Sequence, residues 1–275
     1  MIMQQMIALD LDNTLFNSSK EISPRNERTL KRVHQAGVKV VLCTGRPINA
    51  IRNYLDQLEL NQAEDYTINF NGGLVTNNQT GEFLFQKGLV KSDLDVLYEF
   101  VMAHQLPLDV LDFDKVYEIK TEQKSLYGAT VKGIDFTNDD YQDLPAGDKL
   151  YSKAVIAVDP AQMAQVKALA RDDTQIGQHF TVVQSQPHIL EFIPLGLNKA
   201  VGLQHLLEHF EMTFADLTAF GDADNDKEML AAAGDGVVMA NGLPAVKAIA
   251  DHETLSNDED GVAVYIENKF VTLLQ

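Results

Sequence analysis

Asp10-Leu11-Asp12-Asn13-Thr14 stands directly behind the apolar run Met6-Ile7-Ala8-Leu9. Two carboxylates two positions apart at the end of a buried strand are costly unless something neutralises them, and a divalent cation is the natural partner. Side chains alternate along a strand, so both carboxylates are expected to converge on one point. A second acidic cluster, Gly221-Asp222-Ala223-Asp224-Asn225-Asp226, follows another apolar stretch far along the chain. The two clusters predict one Mg²⁺ site built from both ends of the sequence. Between them lie Thr44-Gly45-Arg46 and Asn198-Lys199. Asp10/Asp12/Thr14, Thr44-Gly45-Arg46, Asn198-Lys199 and Asp222/Asn225/Asp226 together supply what phosphoryl transfer needs. They offer a carboxylate nucleophile, a second carboxylate for proton transfer, a metal site and donors for phosphate oxygens.

These clusters must be held by strands and helices, and the sequence carries the signals for both. Met6 to Leu11 reads as a strand. Ser23-Pro24 reads as a helix start, with Gly37 as its stop. Val38 to Leu42 is a second buried strand. Pro47 opens a helix with Ile48, Ile51, Leu55 and Leu58 on one face, and Tyr66 to Phe70 is a third strand. Strands alternating with helices predict an α/β fold, a doubly wound and mainly parallel sheet, whose ligands sit at the carboxyl ends of the strands. From about Ser92 the rhythm changes. Candidate strands at Leu108–Leu111, Val116–Lys120, Ala154–Val158, Phe180–Gln184 and Ile189–Ile193 share few helices, which suggests a smaller α+β unit on an antiparallel sheet. The polar stretch Asp135 to Asp148 reads as a loop. After Pro194-Leu195-Gly196 the α/β rhythm returns, with helix Ala200–His209, strand Leu217–Phe220, helix Asp226–Ala233, strand Val237–Met239 and helix Ala245–Ala250. Thirty-four positions separate Asp10 from Thr44, but 155 separate Thr44 from Lys199. The insertion therefore lies between the second and third clusters. The expected division is a core of residues 1–82 and 194–275 with an inserted α+β domain at 83–193.

The chain has 275 residues, a hydrophobic fraction of 45% and a formal net charge of −18. At roughly 100–200 residues per domain, that length makes one large domain or two, with material enough for packed cores. The acidic balance argues against nucleic-acid binding, which needs a basic surface. An anionic substrate would be repelled at long range, but a screening length of about 10 Å leaves the decision to cations at the site. The single cysteine, Cys43, forms no internal disulfide framework and suits a reducing compartment. No apolar run approaches the roughly 20 residues of a membrane span, and Met-Ile-Met-Gln-Gln-Met lacks the basic segment of a signal peptide. The expectation is a cytoplasmic protein, with no membrane association and no inferable protein partner.

DLDNT, TGR, the lysine of GLNK and GDADND resemble, in order, the four motifs of the haloacid dehalogenase-like hydrolase superfamily. The resemblance spans the chain. Asn71-Gly72, Met239-Ala240-Asn241-Gly242 and the run from Ser256 to Ala263 are similar to its Cof-type branch. In that branch an insertion at this place is a cap of the C2 type, here of C2B character, on a Rossmann-like core. The resemblance implies that Asp10 attacks phosphorus and becomes an aspartyl-phosphate. It implies that Asp12 protonates the leaving oxygen and then deprotonates water. Mg²⁺ would be held by the Asp10 carboxylate, the Asp12 backbone carbonyl and Asp222. Thr44 and the Gly45 and Leu11 amides would hold phosphate oxygens, Lys199 would add positive charge, and Asn225 would contact phosphate. Asp226 would orient Lys199 or metal-bound water, with Thr14, Arg46 and Asn71 in support. The implied activity is a Mg²⁺-dependent phosphatase for a small phosphorylated metabolite: a sugar phosphate, a nucleotide or a phosphorylated cofactor. Where the family often has glycine, this chain has Asn13, which tolerates positive φ. The family's dehalogenases lack the carboxylate found here at Asp12, which argues against dehalogenation.

Other readings of the same residues fit less well. An EF-hand starting at Asp10 would put Leu15 where glycine is required, and one starting at Asp222 fails at Lys227 and Ala233. His205 and His209 are four apart on a helix, but no third zinc ligand is near and the order is not HExxH. Cys43 reads as a core residue. Two functional alternatives remain on the same fold: a phosphomutase, and a non-catalytic phospho-acceptor or ligand sensor. Tyr117, Tyr127, Lys124 and Lys153 are candidate contacts in the inserted domain.

Overall fold

The computed structural model describes residues 5–130 and 135–271; the signal-peptide reading rests partly on residues 1–4, outside that range. Two compact units emerge, one of residues 1–86 and 198–275, the other of residues 87–197.

The first unit is built on an eight-stranded sheet. In chain order its strands are β1 (Met6–Leu9), β2 (Lys39–Cys43), β3 (Tyr66–Asn69), β4 (Leu74–Asn77) and β5 (Phe83–Gln86). In the second unit follow β6 (Leu108–Leu111), β7 (Lys115–Ile119), β8 (Asp135–Asp139), β9 (Lys153–Ala157), β10 (Phe180–Gln186) and β11 (Ile189–Pro194). The first unit then resumes with β12 (Leu217–Gly221), β13 (Asp235–Val238) and β14 (His252–Glu253). Its sheet order is β14-β13-β12-β1-β2-β3-β4-β5. From β14 to β3 every pairing is parallel, and β4 and β5 add an antiparallel edge. Alternation along β1 sends Ile7 and Leu9 to one face and Met6 and Ala8 to the other, and all four are fully buried. Helices cover both faces, as a doubly wound sheet requires. Helix Pro24–Gln35 starts where Ser23 accepts the Asn26 amide at 3.1 Å and stops before Gly37, whose φ is +94°. The helix expected from Pro47 is shorter: a tight turn at Ile48–Ala50 precedes a helix at Arg52–Leu58.

Strand β5 extends the core sheet past residue 82, and β11 carries the inserted sheet through Pro194, so the second unit runs from 87 to 197 rather than from 83 to 193. The hairpin of β4 and β5 escaped the sequence reading because it interrupts the strand–helix alternation used to find strands.

The inserted unit has a six-stranded sheet in the order β10-β11-β9-β6-β7-β8. Its pairings are antiparallel except that of β7 with β8, which is parallel. Strand β8 occupies the start of the polar stretch expected to be a loop; only the part after Asp139 is irregular or a single tight turn. Helices Lys91–Ala103, Pro160–Asp172 and Thr174–His179 cover one face, burying Leu108, Val110, Ala154, Ile156, Leu190 and Phe192 beneath them. No helix among the described residues is long and apolar enough to cross a membrane.

Asp109 on β6 is wholly buried, and burial pushes its carboxyl up to about 7 although Ser125 donates to it. A carboxyl with a higher pKa folded than unfolded stabilises the fold most at low pH. It loses that contribution as pH rises from the ordinary carboxylate range through about 7. The Tm of Asp109→Asn relative to wild type is therefore expected to be higher at pH 8 than at pH 5. A gap that stays constant, or closes at pH 8, contradicts this.

Candidate active site

Strand β1 ends at Leu9, and Asp10 continues it far enough to donate its amide to the Phe220 carbonyl of β12 at 3.0 Å. The chain then leaves the sheet in one wide turn, with the Leu15 amide on the Asp10 carbonyl at 3.3 Å and the Phe16 amide on the Leu11 carbonyl at 2.8 Å. Asn13 takes φ +62° inside this turn, the conformation that asparagine accepts at least cost after glycine. Leu11, Thr14 and Leu15 are buried and pin the turn to the core.

Because the strand ends at Asp10, the alternation expected to bring Asp10 and Asp12 together stops there. The Asp10 carboxylate is buried and points to the sheet end. The Asp12 carboxylate is 40% exposed and is held elsewhere, by a two-pronged bond from Arg46 (Nε 2.9 Å, Nη2 2.7 Å) and by Lys20 Nζ at 3.0 Å. Burial pushes the Asp12 carboxyl up, but the bonds and charges of Arg46 and Lys20 outweigh it and leave the carboxyl below its ordinary value. Lys20 was not singled out from the sequence. It lies in the Asn17–Glu21 turn with φ +61°, and no spacing rule ties a turn lysine to an acid eight positions back.

The carboxylates that do converge are those of Asp10, Asp222 and Asp226. They offer one oxygen each within 4.8 Å of the others, and no other such group of three occurs among the described residues. Lys199, wholly buried at the first position of helix Lys199–His209, bonds Asp10 Oδ1 at 2.5 Å and Asp226 Oδ1 at 2.6 Å. Asp226 Oδ2 accepts the Asp222 and Ala223 amides at 2.9 and 3.0 Å, which commits both of its oxygens. A Cβ on Gly221 would lie 2.5 Å from that of Asp226, so glycine is required there. Thr14 donates to Asp222 Oδ1 at 3.1 Å.

The phosphate-loop candidates sit beside this cluster. Thr44 is buried at the end of β2, where its amide meets the Ile68 carbonyl and its Oγ1 accepts the Arg46 amide at 3.1 Å. Gly45 lies against Asn71: a Cβ there would stand 3.2 Å from Asn71 Nδ2. Asn71 Oδ1 accepts from Asn225 Nδ2 at 3.3 Å, linking the third strand's end to the second acidic cluster. Phe70, Asn71 and Gly72 take φ of +51°, +53° and +100° in succession. At Gly72 a Cβ would fall 2.0 Å from the Asn198 carbonyl. This close approach seats Asn198, whose side chain caps the helix that begins with Lys199. The contribution of Gly72 was legible only as part of Asn71-Gly72.

Among the described residues His205 and His209 join no group of three metal-ligating side chains: His205 stacks on Phe85 with centroids 3.9 Å apart, and His209 meets the Tyr66 hydroxyl at 3.2 Å. Cys43 is a buried core residue.

With all three carboxylates ionised, as cation binding would require, one buried ammonium leaves the cluster two negative charges in excess. Burial raises the Asp10 carboxyl to about 8, with Lys199 opposing and Asp226 and Asp222 reinforcing. Burial and Asp226 raise Asp222 to about 6. Burial lowers the Lys199 ammonium, but Asp10 and Asp226 outweigh it and hold it above its ordinary value. An all-oxygen donor set with an excess charge of two fits a hard divalent cation and lacks the sulfur or imidazole that zinc prefers. With both oxygens of Asp226 committed, Asp10 and Asp222 are the side chains suited to hold it.

The chain belongs to the haloacid dehalogenase-like hydrolase family, as a Cof-type phosphatase: the family's pattern matches residues 7–266. A 5-amino-6-(5-phospho-D-ribitylamino)uracil phosphatase of Bacillus subtilis, YitU, is 32% identical over 270 residues, covering 96% of this chain and 97% of that one. An HMP-PP phosphatase of Cronobacter sakazakii is 29% identical over 251 residues, covering 91% of this chain and 89% of that one. A crystal structure of a haloacid dehalogenase-like hydrolase from Bacteroides thetaiotaomicron superposes with a TM-score of 0.82 at 34% identity, covering 97% of this chain and all of that one.

Removing one member of a buried ion pair strands the other without a counter-charge, at a typical cost of about 3–5 kcal/mol. Lys199→Met leaves both Asp10 and Asp226 in that state, because its ammonium is the one that both buried carboxylates bond. Its urea midpoint should therefore drop by an amount equivalent to about 3–5 kcal/mol. A loss under about 1 kcal/mol, the scale of an exposed pair, contradicts the buried arrangement.

Proposed function

We propose that the chain is a Mg²⁺-dependent phosphatase that hydrolyses a small phosphorylated metabolite through an aspartyl-phosphate at Asp10. The observation that carries this reading is the Asp10 carboxylate itself. It is buried at the carboxyl end of β1, fixed through Oδ1 by Lys199, with Asp222 close enough to share an ion. The relatives named for 5-amino-6-(5-phospho-D-ribitylamino)uracil and for HMP-PP support a small molecule as substrate.

Asp10 and Asp222, with the Asp12 backbone carbonyl, would hold Mg²⁺. Bound there, the ion would offset the repulsion between the Asp10 carboxylate and an anionic phosphate. An Asp10 oxygen attacks phosphorus, and the bond from phosphorus to the ester oxygen breaks. The departing oxygen takes a proton from Asp12. Water then attacks the phosphorus of the aspartyl-phosphate and gives its proton to Asp12, releasing phosphate and the free Asp10 carboxylate. Lys199 keeps Asp10 oriented and places positive charge beside the transferring group. The Thr44 hydroxyl, the Gly45 and Leu11 amides and Asn225 supply donors for the phosphate oxygens. Asn71 supports Gly45 and Asn225 from behind, and Thr14 steadies Asp222. Because Arg46 and Lys20 hold the Asp12 carboxylate ionised, Asp12 must give up bonds to both and take up a proton from solvent before it serves the first leaving group; thereafter the attacking water restores that proton. Arg46 is thus the residue that positions Asp12.

Purified protein with Mg²⁺ is expected to release phosphate from para-nitrophenyl phosphate, and EDTA to stop it. Asp10→Asn abolishes turnover. Asp12→Asn slows it by about 10²–10⁴-fold, the range for loss of a general acid–base group. Undiminished release from Asp10→Asn removes the nucleophile assignment. A stable phosphoprotein without phosphate release points instead to the sensor, and net isomerisation of a hexose phosphate to the mutase.

A further inference from the structure

Met239-Ala240-Asn241-Gly242 and the run from Ser256 to Ala263 carry none of the reacting groups, yet they reach the wide turn that carries Asp12. Asn241 uses both ends of its side-chain amide. Its Nδ2 donates to the Asn13 carbonyl at 2.8 Å, and its Oδ1 accepts the Asn257 backbone amide at 3.0 Å. Asn257 is buried, and its own Nδ2 donates to the Phe16 carbonyl at 2.9 Å. Two asparagines linked to each other thus grip the turn at two carbonyls, one directly after Asp12 and one just past Leu15.

These bonds do not duplicate what the turn does for itself. It closes through the Leu15 and Phe16 amides, which bond the carbonyls of Asp10 and Leu11. Neither bond uses the carbonyl of Asn13 or of Phe16. A left-handed residue such as Asn13, with φ +62°, persists where its surroundings over-determine the backbone. The Asp12 side chain is held by Arg46 and Lys20, and those are the bonds that Asp12 gives up to serve the leaving group. At that point its place depends on the backbone, which Asn241 and Asn257 hold from outside.

Both asparagines stand on a fixed frame. The Gly242 amide bonds the Met239 carbonyl at 2.8 Å and the Leu243 amide bonds the Asp222 carbonyl at 2.9 Å, so the turn at Asn241 is tied to the second acidic cluster. Asn257 opens the tight turn Asn257–Glu259, which Ser256 Oγ closes by donating to Glu259 Oε2 at 2.6 Å. Beside it Asp258 accepts the Ser18 amide and hydroxyl at 2.8 and 2.6 Å. That contact tethers the Asn17–Glu21 turn, which carries Lys20.

We propose that Asn241 and Asn257 are positioning residues: they brace the Leu11–Leu15 turn so that Asp12 stays in line for proton transfer once its own ion pairs open. The inference rests on the phosphatase reading for the chemistry that the brace serves. A displacement of a reacting group by about 1 Å is enough to cost about 10²-fold in rate.

The test compares phenyl phosphate with para-nitrophenyl phosphate, using the full chain with Mg²⁺. Phenolate is the more basic leaving group and depends more on a proton from Asp12. A displaced Asp12 therefore slows phenyl phosphate more, whereas a loss of folded protein slows both esters alike. Asn241→Ala removes both bonds of the side chain. Asn241→Asp keeps the acceptor for the Asn257 amide but has no donor for the Asn13 carbonyl. In both, kcat/KM for phenyl phosphate should fall by about 10–100-fold, and by less for para-nitrophenyl phosphate. A ratio of the two esters unchanged from wild type in either variant overturns the proposal. Asn257→Ala should shift the ratio the same way; should it fail to fold, the variants of Asn241, which is exposed, decide. If wild type hydrolyses neither ester, the phosphatase reading fails by itself. Hydrogen exchange then decides the brace: faster exchange of the Leu15 and Phe16 amides in Asn241→Ala is expected, and exchange equal to wild type overturns it.

Discussion

One buried ammonium organises the catalytic unit. Lys199 Nζ lies between Asp10 and Asp226, and all three are buried. An ammonium buried alone would shed its proton, and carboxylates buried alone would take one up. Lys199 opposes proton uptake by Asp10, although burial still raises that carboxyl to about 8, and both carboxylates keep the ammonium charged; the geometry that permits this is demanding. It needs Gly72 against the Asn198 carbonyl to seat the helix that begins with Lys199. It needs Gly221 without a side chain so that Asp226 can fold back onto its own loop. It needs β1 and β12 paired with Leu9 opposite Phe220, so that Asp10 leaves its strand beside Gly221, one residue before Asp222. The strand order places β1 beside β12 at the centre of the sheet, and the second unit is spliced in where the chain would otherwise pass from the edge hairpin to the Lys199 helix.

The arrangement separates two carboxylates that the sequence sets two positions apart. Asp10 is buried and bound to the cluster; Asp12 is half-exposed and bound to Arg46 and Lys20. The wide turn at Leu11–Leu15, made possible by the left-handed Asn13, is what turns one carboxylate inward and the other outward. Two carboxylates in such unlike surroundings can take unlike roles, one as nucleophile and one as proton carrier, which is the division the proposed function assigns.

Much of this was legible in the sequence because each part left a local mark. The strands behind Asp10, Thr44 and Asp222 are short apolar runs, and the Ser23-Pro24 start of the first helix has a direct chemical signature. Lys199 and Asp226 were legible as members of ordered motifs. The bond between them was expected only from the family resemblance, as one of two roles for Asp226, since nothing local in the sequence says how two distant segments fold back. The Asp12–Lys20 contact and the tight approach of Gly72 to Asn198 are tertiary facts with no periodicity behind them. The β4–β5 hairpin was missed because it breaks the alternation used to find strands. In the inserted unit β8 was hidden because Asp135–Asp139 is polar.

The central claim is that the carboxylate cluster around Lys199 is the seat of one divalent ion held by Asp10 and Asp222. The most direct measurement is electron paramagnetic resonance of Mn²⁺ titrated into the metal-free protein, with Mg²⁺ as competitor. The account predicts one Mn²⁺ bound per chain, displaced by Mg²⁺, and loss of that binding in Asp222→Asn while helix and sheet content stay intact. Equal binding by wild type and a folded Asp222→Asn would contradict it.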